Sequence, residues 1–140
     1  MAPLSAHTLG KVAAGLCDDL LTCVLRAWDF AGEGEGGKKP VLLAPAMNTV
    51  MWRHPLTRWQ LDAVRAFATA GDDGAAAAAA AAGGREEDGG VAVVEPATKT
   101  LACGEVGVGA LAELDDLVAA VRTRLAPWWE DAAEERAGVS

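Results

Sequence analysis

A five-residue apolar run, PVLLA (Pro40–Ala44), sits between two stretches patterned as helices, and this arrangement most constrains the fold. Five residues are too few for a buried helix, but they suffice for a strand covered on both faces. Before it, Leu9, Val12, Ala13, Leu16, Leu20, Leu21, Val24, Leu25 and Trp28 recur at helical spacing from Thr8 to Trp28, with Ser5 or Thr8 as N-cap. After it, a helix is expected from about Pro55, with Leu56, Trp59, Ala63, Val64 and Phe67 on one face and Gly71 as its stop. Val91–Val94 reads as a second strand, and Leu114, Leu117, Val118, Val121 and Leu125 as a third helix that Pro127 breaks. Asp115 and Asp116 near its start and Arg122 and Arg124 near its end suit the helix dipole.

This alternation predicts an α/β fold with a parallel sheet. Two strands are too few to complete such a sheet, and MAPLSAHT (Met1–Thr8) looks like a strand end entering a helix, so the reading expects further strands upstream. The 140 residues suit a single domain, 1–140, with two departures. Residues 71–90 form a low-complexity insertion whose run of eight alanines is too short for a stable isolated helix. Residues 128–140 form an acidic tail, helical at first.

Hydrophobic residues make up 51% of the chain, much of it alanine, and the net charge of -8 gives nucleic acid no basic surface. No apolar segment approaches the roughly 18 residues of a membrane span, and no secretory signal is evident. The three cysteines, Cys17, Cys23 and Cys103, include no C-x-x-C pair, and the histidines are His7 and His54. That set predicts neither a disulfide framework nor a metal site, and points to a cytoplasmic protein.

In an open α/β sheet, ligands bind beyond the carboxyl ends of the strands. Three segments belong there: PLSAHT, APAMNT and EPATKTLACGEVGVGALAE. From its residue types alone, Asn48 is a helix N-cap and Met51-Trp52 are core. Cys17 and Cys23 read as small buried hydrophobes on the first helix, and His54 as an exposed turn residue. Gly104, Gly107 and Gly109 lack the G-x-G-x-x-G order of a dinucleotide loop.

Taken together, SAHTLGKVAAGLCDDLL (Ser5–Leu21), PAMNTVMW (Pro45–Trp52) and ACGEVGVGALAE (Ala102–Glu113) resemble the flavin-dependent cysteine decarboxylases. Within that family the resemblance is greatest to the enzymes acting on 4'-phosphopantothenoylcysteine in coenzyme A biosynthesis. It implies a Rossmann-like, flavodoxin-type, three-layer αβα fold lacking its N-terminal strands, and FMN as cofactor. Ser5, Ala6, His7, Thr8 and Ala46 would border the flavin, with His7 standing where the family has asparagine. Asn48 would bind the substrate carboxylate, with Met51, Ala102 and Gly104 also at the substrate and Met47 lining the pocket. Asn48 and Cys103 would be the catalytic pair, Cys103 acting as the acid on a clamp made mobile by its glycines.

The family reaction, as the resemblance implies it, oxidises the cysteinyl side chain to a thioaldehyde, releases carbon dioxide and restores a saturated thiol. A histidine assisting the oxidation lies upstream of the flavin loop in the family and has no counterpart in this sequence. The resemblance also implies a trimer with the flavin at the interface, so the chain is expected to be the C-terminal part of the enzyme in a homotrimer, or one subunit of a heterotrimer whose partner supplies the histidine. The alternative is a non-catalytic binding subunit, because some relatives with acidic tails regulate a protein phosphatase.

Overall fold

The computed structural model describes residues 1–30, 32, 39–67, 90–100 and 106–137. The order is α1 (Ala6–Ala13), α2 (Leu20–Arg26), β1 (Val41–Leu43), α3 (Thr49–Arg53), α4 (Pro55–Phe67), β2 (Val91–Val93), β3 (Ala97–Thr100), β4 (Val106–Ala110) and α5 (Leu114–Ala137).

Both predicted strands form, and they pair in parallel with Val41, Leu42 and Leu43 opposite Val91, Ala92 and Val93. Leu4 adds a single parallel bridge to Pro45 on the continuation of β1. Leu4 N–H donates to the Ala44 carbonyl at 2.8 Å, and Ala46 N–H donates to the Leu4 carbonyl at 2.9 Å. The N-terminal residues therefore behave as a strand end, as the sequence suggests. Leu4, Leu9, Leu43 and Val64 are fully buried, and Val12, Leu25, Val41 and Leu61 complete the cluster between the strands and helices. Each such side chain contributes roughly 2 kcal/mol of burial.

The long first helix predicted from Thr8 to Trp28 is two helices. Gly15 has a φ of +71°, a left-handed conformation that glycine adopts without side-chain strain. Gly15 N–H bonds the Val12 carbonyl at 3.1 Å and Leu16 N–H the Lys11 carbonyl at 2.9 Å. Those two bonds make a Schellman stop. Helix α2 then starts at Asp19, whose carboxylate accepts from Thr22 N–H at 2.9 Å while Thr22 Oγ1 accepts from Asp19 N–H at 3.2 Å. Lys11 Nζ braces the junction, 2.7 Å from Asp18 and 3.1 Å from Asp19. The break leaves Leu16, Leu20, Leu21 and Val24 exposed, and Cys17 and Cys23 are exposed rather than buried.

Three further expectations are corrected. The buried face of α4 is Thr57, Leu61 and Val64, so Trp59, expected inside, is 62% exposed. Its predicted stop, Gly71, and residues 71–89 of the insertion lie outside the described residues. Pro127 does not end the last helix, which continues through it to Ala137. Proline removes one hydrogen bond, to Thr123, and here both Pro127 and Thr123 are exposed, so water can satisfy the freed carbonyl. Finally, β3 and β4 form an antiparallel pair that periodicity did not reveal. β3 is only four residues long and β4 alternates valine with glycine, so neither shows a clear apolar–polar alternation.

Candidate active site at the strand ends

The three motif segments meet through backbone hydrogen bonds. The Leu4–Pro45 bridge places the start of α1 beside the turn that follows β1. Met47 N–H then donates to the Gly109 carbonyl at 2.9 Å, joining that turn to β4. Convergence on one edge of the sheet, inferred from strand order alone, is therefore present.

At the first segment, Ser5 is the N-cap of α1, and its Oγ accepts from Thr8 N–H at 3.1 Å. The two hydroxyls are 3.0 Å apart. That cap occupies one of the amides at the helix start. The N–H groups of Ala6 and His7 have no acceptor within the helix and remain suited to electron-rich ligand atoms. Ser5 and His7 are exposed, and Ala6 and Thr8 half-buried.

At the second segment, Asn48 is the N-cap of α3, a short helix that the sequence reading folded into a turn. Its Oδ1 accepts from Met51 N–H at 2.8 Å. Capping and ligand recognition are thus compatible uses of one side chain. With the oxygen engaged by the backbone, the Nδ2 amide is the half that an exposed Asn48 can present to an acceptor such as a carboxylate. Ala46 and Met47 are half-buried and Met51 exposed, so the turn offers apolar surface beside that amide. Trp52 packs against the core cluster, as expected. Thr57 Oγ1 donates to the Met51 carbonyl at 2.6 Å and locks α3 onto α4.

At the third segment, Ala102, Cys103 and Gly104 lie outside the described residues. Gly107 and Gly109 are within β4. Ala97 pairs with Ala110 and Thr98 with Val108, which leaves Gly109 as the extra residue of a β-bulge. Its φ of +121° turns its carbonyl toward Met47, and a Cβ there would collide with the Met47 carbonyl oxygen. Sequence reasoning missed this role because its only signal was the alternation of valine and glycine in VGVG. It also missed His54, which is exposed as expected but organises the start of α4. His54 Nδ1 accepts from Leu56 N–H at 3.1 Å and its carbonyl from Thr57 N–H at 3.0 Å.

A cavity of about 250 Å³ lined by Val12, Leu16, Leu25, Arg26, Phe30 and Phe67 lies at the opposite end of α1 from His7. Among the described residues, no group of three His, Cys, Asp or Glu side chains is placed to hold a metal ion. The donors at the edge are amides, hydroxyls and a carboxamide beside apolar methionines, and they fit a flavin with its polar rim and apolar rings.

The profile of the Flavoprotein family matches residues 1–126. The chain belongs to that family. It is 42% identical over 125 residues to phosphopantothenoylcysteine decarboxylase of Mus musculus, covering 89% of this chain and 47% of the mouse protein. It is 38% identical over 138 residues to the enzyme of the same name from Arabidopsis thaliana, covering 99% and 50% of the two chains. Among solved structures it resembles a cysteine-to-serine mutant of PPC decarboxylase complexed with pantothenoylaminoethenethiol. That match has a TM-score of 0.63 at 38% identity and covers 92% of this chain and 53% of the other. It also resembles the FMN-binding protein AtHal3, with a TM-score of 0.57 at 39% identity over 93% and 52% of the two chains. The chain therefore spans about half the length of the relatives it matches.

These matches bear out the family resemblance and the Rossmann-like αβα fold class. The expectation of FMN agrees with a flavoprotein family and with a neighbour described as FMN-binding.

Proposed function

We propose that this chain provides the carboxylate-binding part of an FMN-dependent decarboxylase that converts 4'-phosphopantothenoylcysteine to 4'-phosphopantetheine in coenzyme A biosynthesis. It acts within a longer polypeptide or beside a subunit that supplies the histidine, in a cytosolic homotrimer or heterotrimer. The observation that carries this reading is the geometry of Asn48. Its oxygen is tied to the Met51 amide, so its NH2 group is left to donate. That donor stands on a turn bonded on one side to the strand end leading into α1 and on the other to Gly109.

In this proposal Asn48 Nδ2 donates to the substrate carboxylate, and Met51 and Ala46 exclude water beside it. A neutral amide holds the carboxylate without the strong ionic stabilisation that a cation would give, so loss of carbon dioxide remains favourable. A bound flavin would be bordered by Ser5, Ala6, His7 and Thr8, with the Ala6 and His7 amides as donors because the Thr8 amide is taken by the Ser5 cap. A bound flavin supplies the two-electron oxidation that makes decarboxylation easy and the reduction that follows. Cys103, with Ala102 and Gly104 beside it, is assigned the proton donation that completes the product.

The test is to add FMN to the purified chain, remove unbound flavin and record the visible spectrum. The chain is then mixed with a histidine-bearing subunit and 4'-phosphopantothenoylcysteine, and carbon dioxide is measured. Retained flavin and release of carbon dioxide by the mixture are expected. A stably assembled, flavin-loaded mixture that releases none would overturn the catalytic reading.

A further inference from the structure

Two of the cysteines meet at the junction of α1 and α2. Cys17 lies in the turn between the helices and Cys23 on α2, and both are free and exposed. The Cys23 thiol donates to the Cys17 carbonyl at 3.4 Å, so one sulfur rests against the backbone of the other cysteine. Desolvation, and after it the Cys17 thiol, pushes the Cys23 thiol pKa up. A sulfur against its partner's own carbonyl is the neighbourhood in which a disulfide, with Cα atoms about 4.4–6.8 Å apart, can form.

The fold around the pair holds it in place. Gly15, with its φ of +71°, stops α1 just before Cys17, and the Asp19–Thr22 capping box starts α2 just after it. Lys11 Nζ ties Asp18 and Asp19 back to α1 at 2.7 and 3.1 Å. Cys23 N–H bonds the Asp19 carbonyl at 2.9 Å, which sets Cys23 one helical turn beyond that cap. The contact lies within the run Cys17–Cys23, so it is made by the same local segment whatever further chain or subunits surround it.

We propose that Cys17 and Cys23 form a peroxide-sensitive dithiol, a modification site that closes reversibly to an intrachain disulfide. Cys23, held protonated, is the poorer first nucleophile, so Cys17 reacts first. Its sulfur attacks one oxygen of hydrogen peroxide and the O–O bond breaks. Cys17 becomes a sulfenic acid, and the other oxygen leaves as water with the thiol proton. The Cys23 sulfur then displaces the sulfenic oxygen, which leaves as a second water with the Cys23 proton. The two sulfurs give up two electrons and the peroxide takes them. A small-molecule thiol reopens the link by exchange. Closure keeps Cys17 from advancing to the irreversible sulfinic acid. The site rests neither on the flavin edge nor on the proposed reaction.

Peptide mapping of the full chain tests this. The reduced chain is treated with hydrogen peroxide and cleaved before Asp18 and Asp19, which leaves Cys17 and Cys23 on separate peptides. Mass spectrometry is expected to find those peptides joined, and dithiothreitol to return both cysteines as thiols. Cys23→Ser is expected to lose the link and to carry Cys17 through a sulfenic acid, trapped by dimedone, to a sulfinic acid that the reductant does not recover. Cys17→Ser is expected to lose the link as well. Both side chains are exposed, so circular dichroism of each variant is expected to match the wild type. Oxidation of Cys17 and Cys23 without joining overturns the proposal. So does joining of either one to Cys103 or to a second chain in place of the pair, and so does equal conversion of Cys17 to sulfinic acid in the wild type and in Cys23→Ser.

Discussion

Gly109 and Met47 are joined by one hydrogen bond, from Met47 N–H to the Gly109 carbonyl at 2.9 Å, and this bond connects two of the three motif segments. It exists because Gly109 is a bulge residue with positive φ, which rotates its carbonyl out of the β3–β4 ladder. Gly109→Ala would force a side chain into that conformation and against the Met47 carbonyl. A loss of about 1–3 kcal/mol from the backbone alone is expected, with more from the clash. Thermal unfolding should show the drop. Flavin retention should fall with it, since the Ala46–Met47 turn would shift.

Asn48 separates structural from chemical roles. Asn48→Asp keeps an N-cap oxygen for Met51 N–H, so the melting temperature should change little. It removes the amide donor and adds a negative charge facing the substrate carboxylate. Turnover in a histidine-bearing assembly should fall by about 100-fold or more, with flavin binding retained. Asn48→Ala should lose both stability and turnover. Equal turnover in the wild type and Asn48→Asp would remove Asn48 from the carboxylate site.

The α1–α2 junction should be acid-sensitive at unusually low pH. The Thr22 backbone N–H holds the Asp19 carboxyl down from 3.8 to about 2, helped by Lys11 and the Thr22 hydroxyl. A carboxyl depressed in the folded state contributes stability fully present above its unfolded value of 3.8 and lost as pH falls through about 2. Carbon-detected NMR titration of the Asp19 carboxyl should place its midpoint near 2. A midpoint at the ordinary aspartate value would mean that the capping box does not persist in solution. On the basic side, Asp18 and Asp19 hold the Lys11 ammonium above its usual 10.5, so its contribution is present below that value and fades only at higher pH.

Leu43 is fully buried at the end of β1, where its carbonyl also accepts from Val94 N–H at 2.8 Å. Leu43→Ala should cost about 2–5 kcal/mol, because the strands and helices around it cannot close the whole cavity. Chemical denaturation should show a lower midpoint. Trp59→Ala, by contrast, should be nearly silent, because Trp59 lies on the solvent side of α4. A large loss at Trp59 would mean that the face predicted from periodicity is the buried one in solution.

The amino-acid sequence by itself determined the two parallel strands, the three motif segments, their convergence on one edge and membership of the flavoprotein family. Those features rest on local residue types: an apolar run bounded by proline and glycine, a Ser5 cap, and the run from Pro45 to Trp52. The tertiary structure decided where the first helix divides, which face of α4 is buried, and what Gly109 does. Helical periodicity continues across Gly15 in the sequence, and only the Schellman bonds and the Asp19–Thr22 cap show the chain turning there. The apolar residues of α4 likewise offer two overlapping stripes, and packing against α1 selects the one through Leu61 and Val64. Most of all, the bond between Met47 and Gly109 spans 62 residues of sequence. No local pattern encodes so distant a pairing, because it depends on a bulge whose carbonyl finds its donor only once both strand pairs have formed.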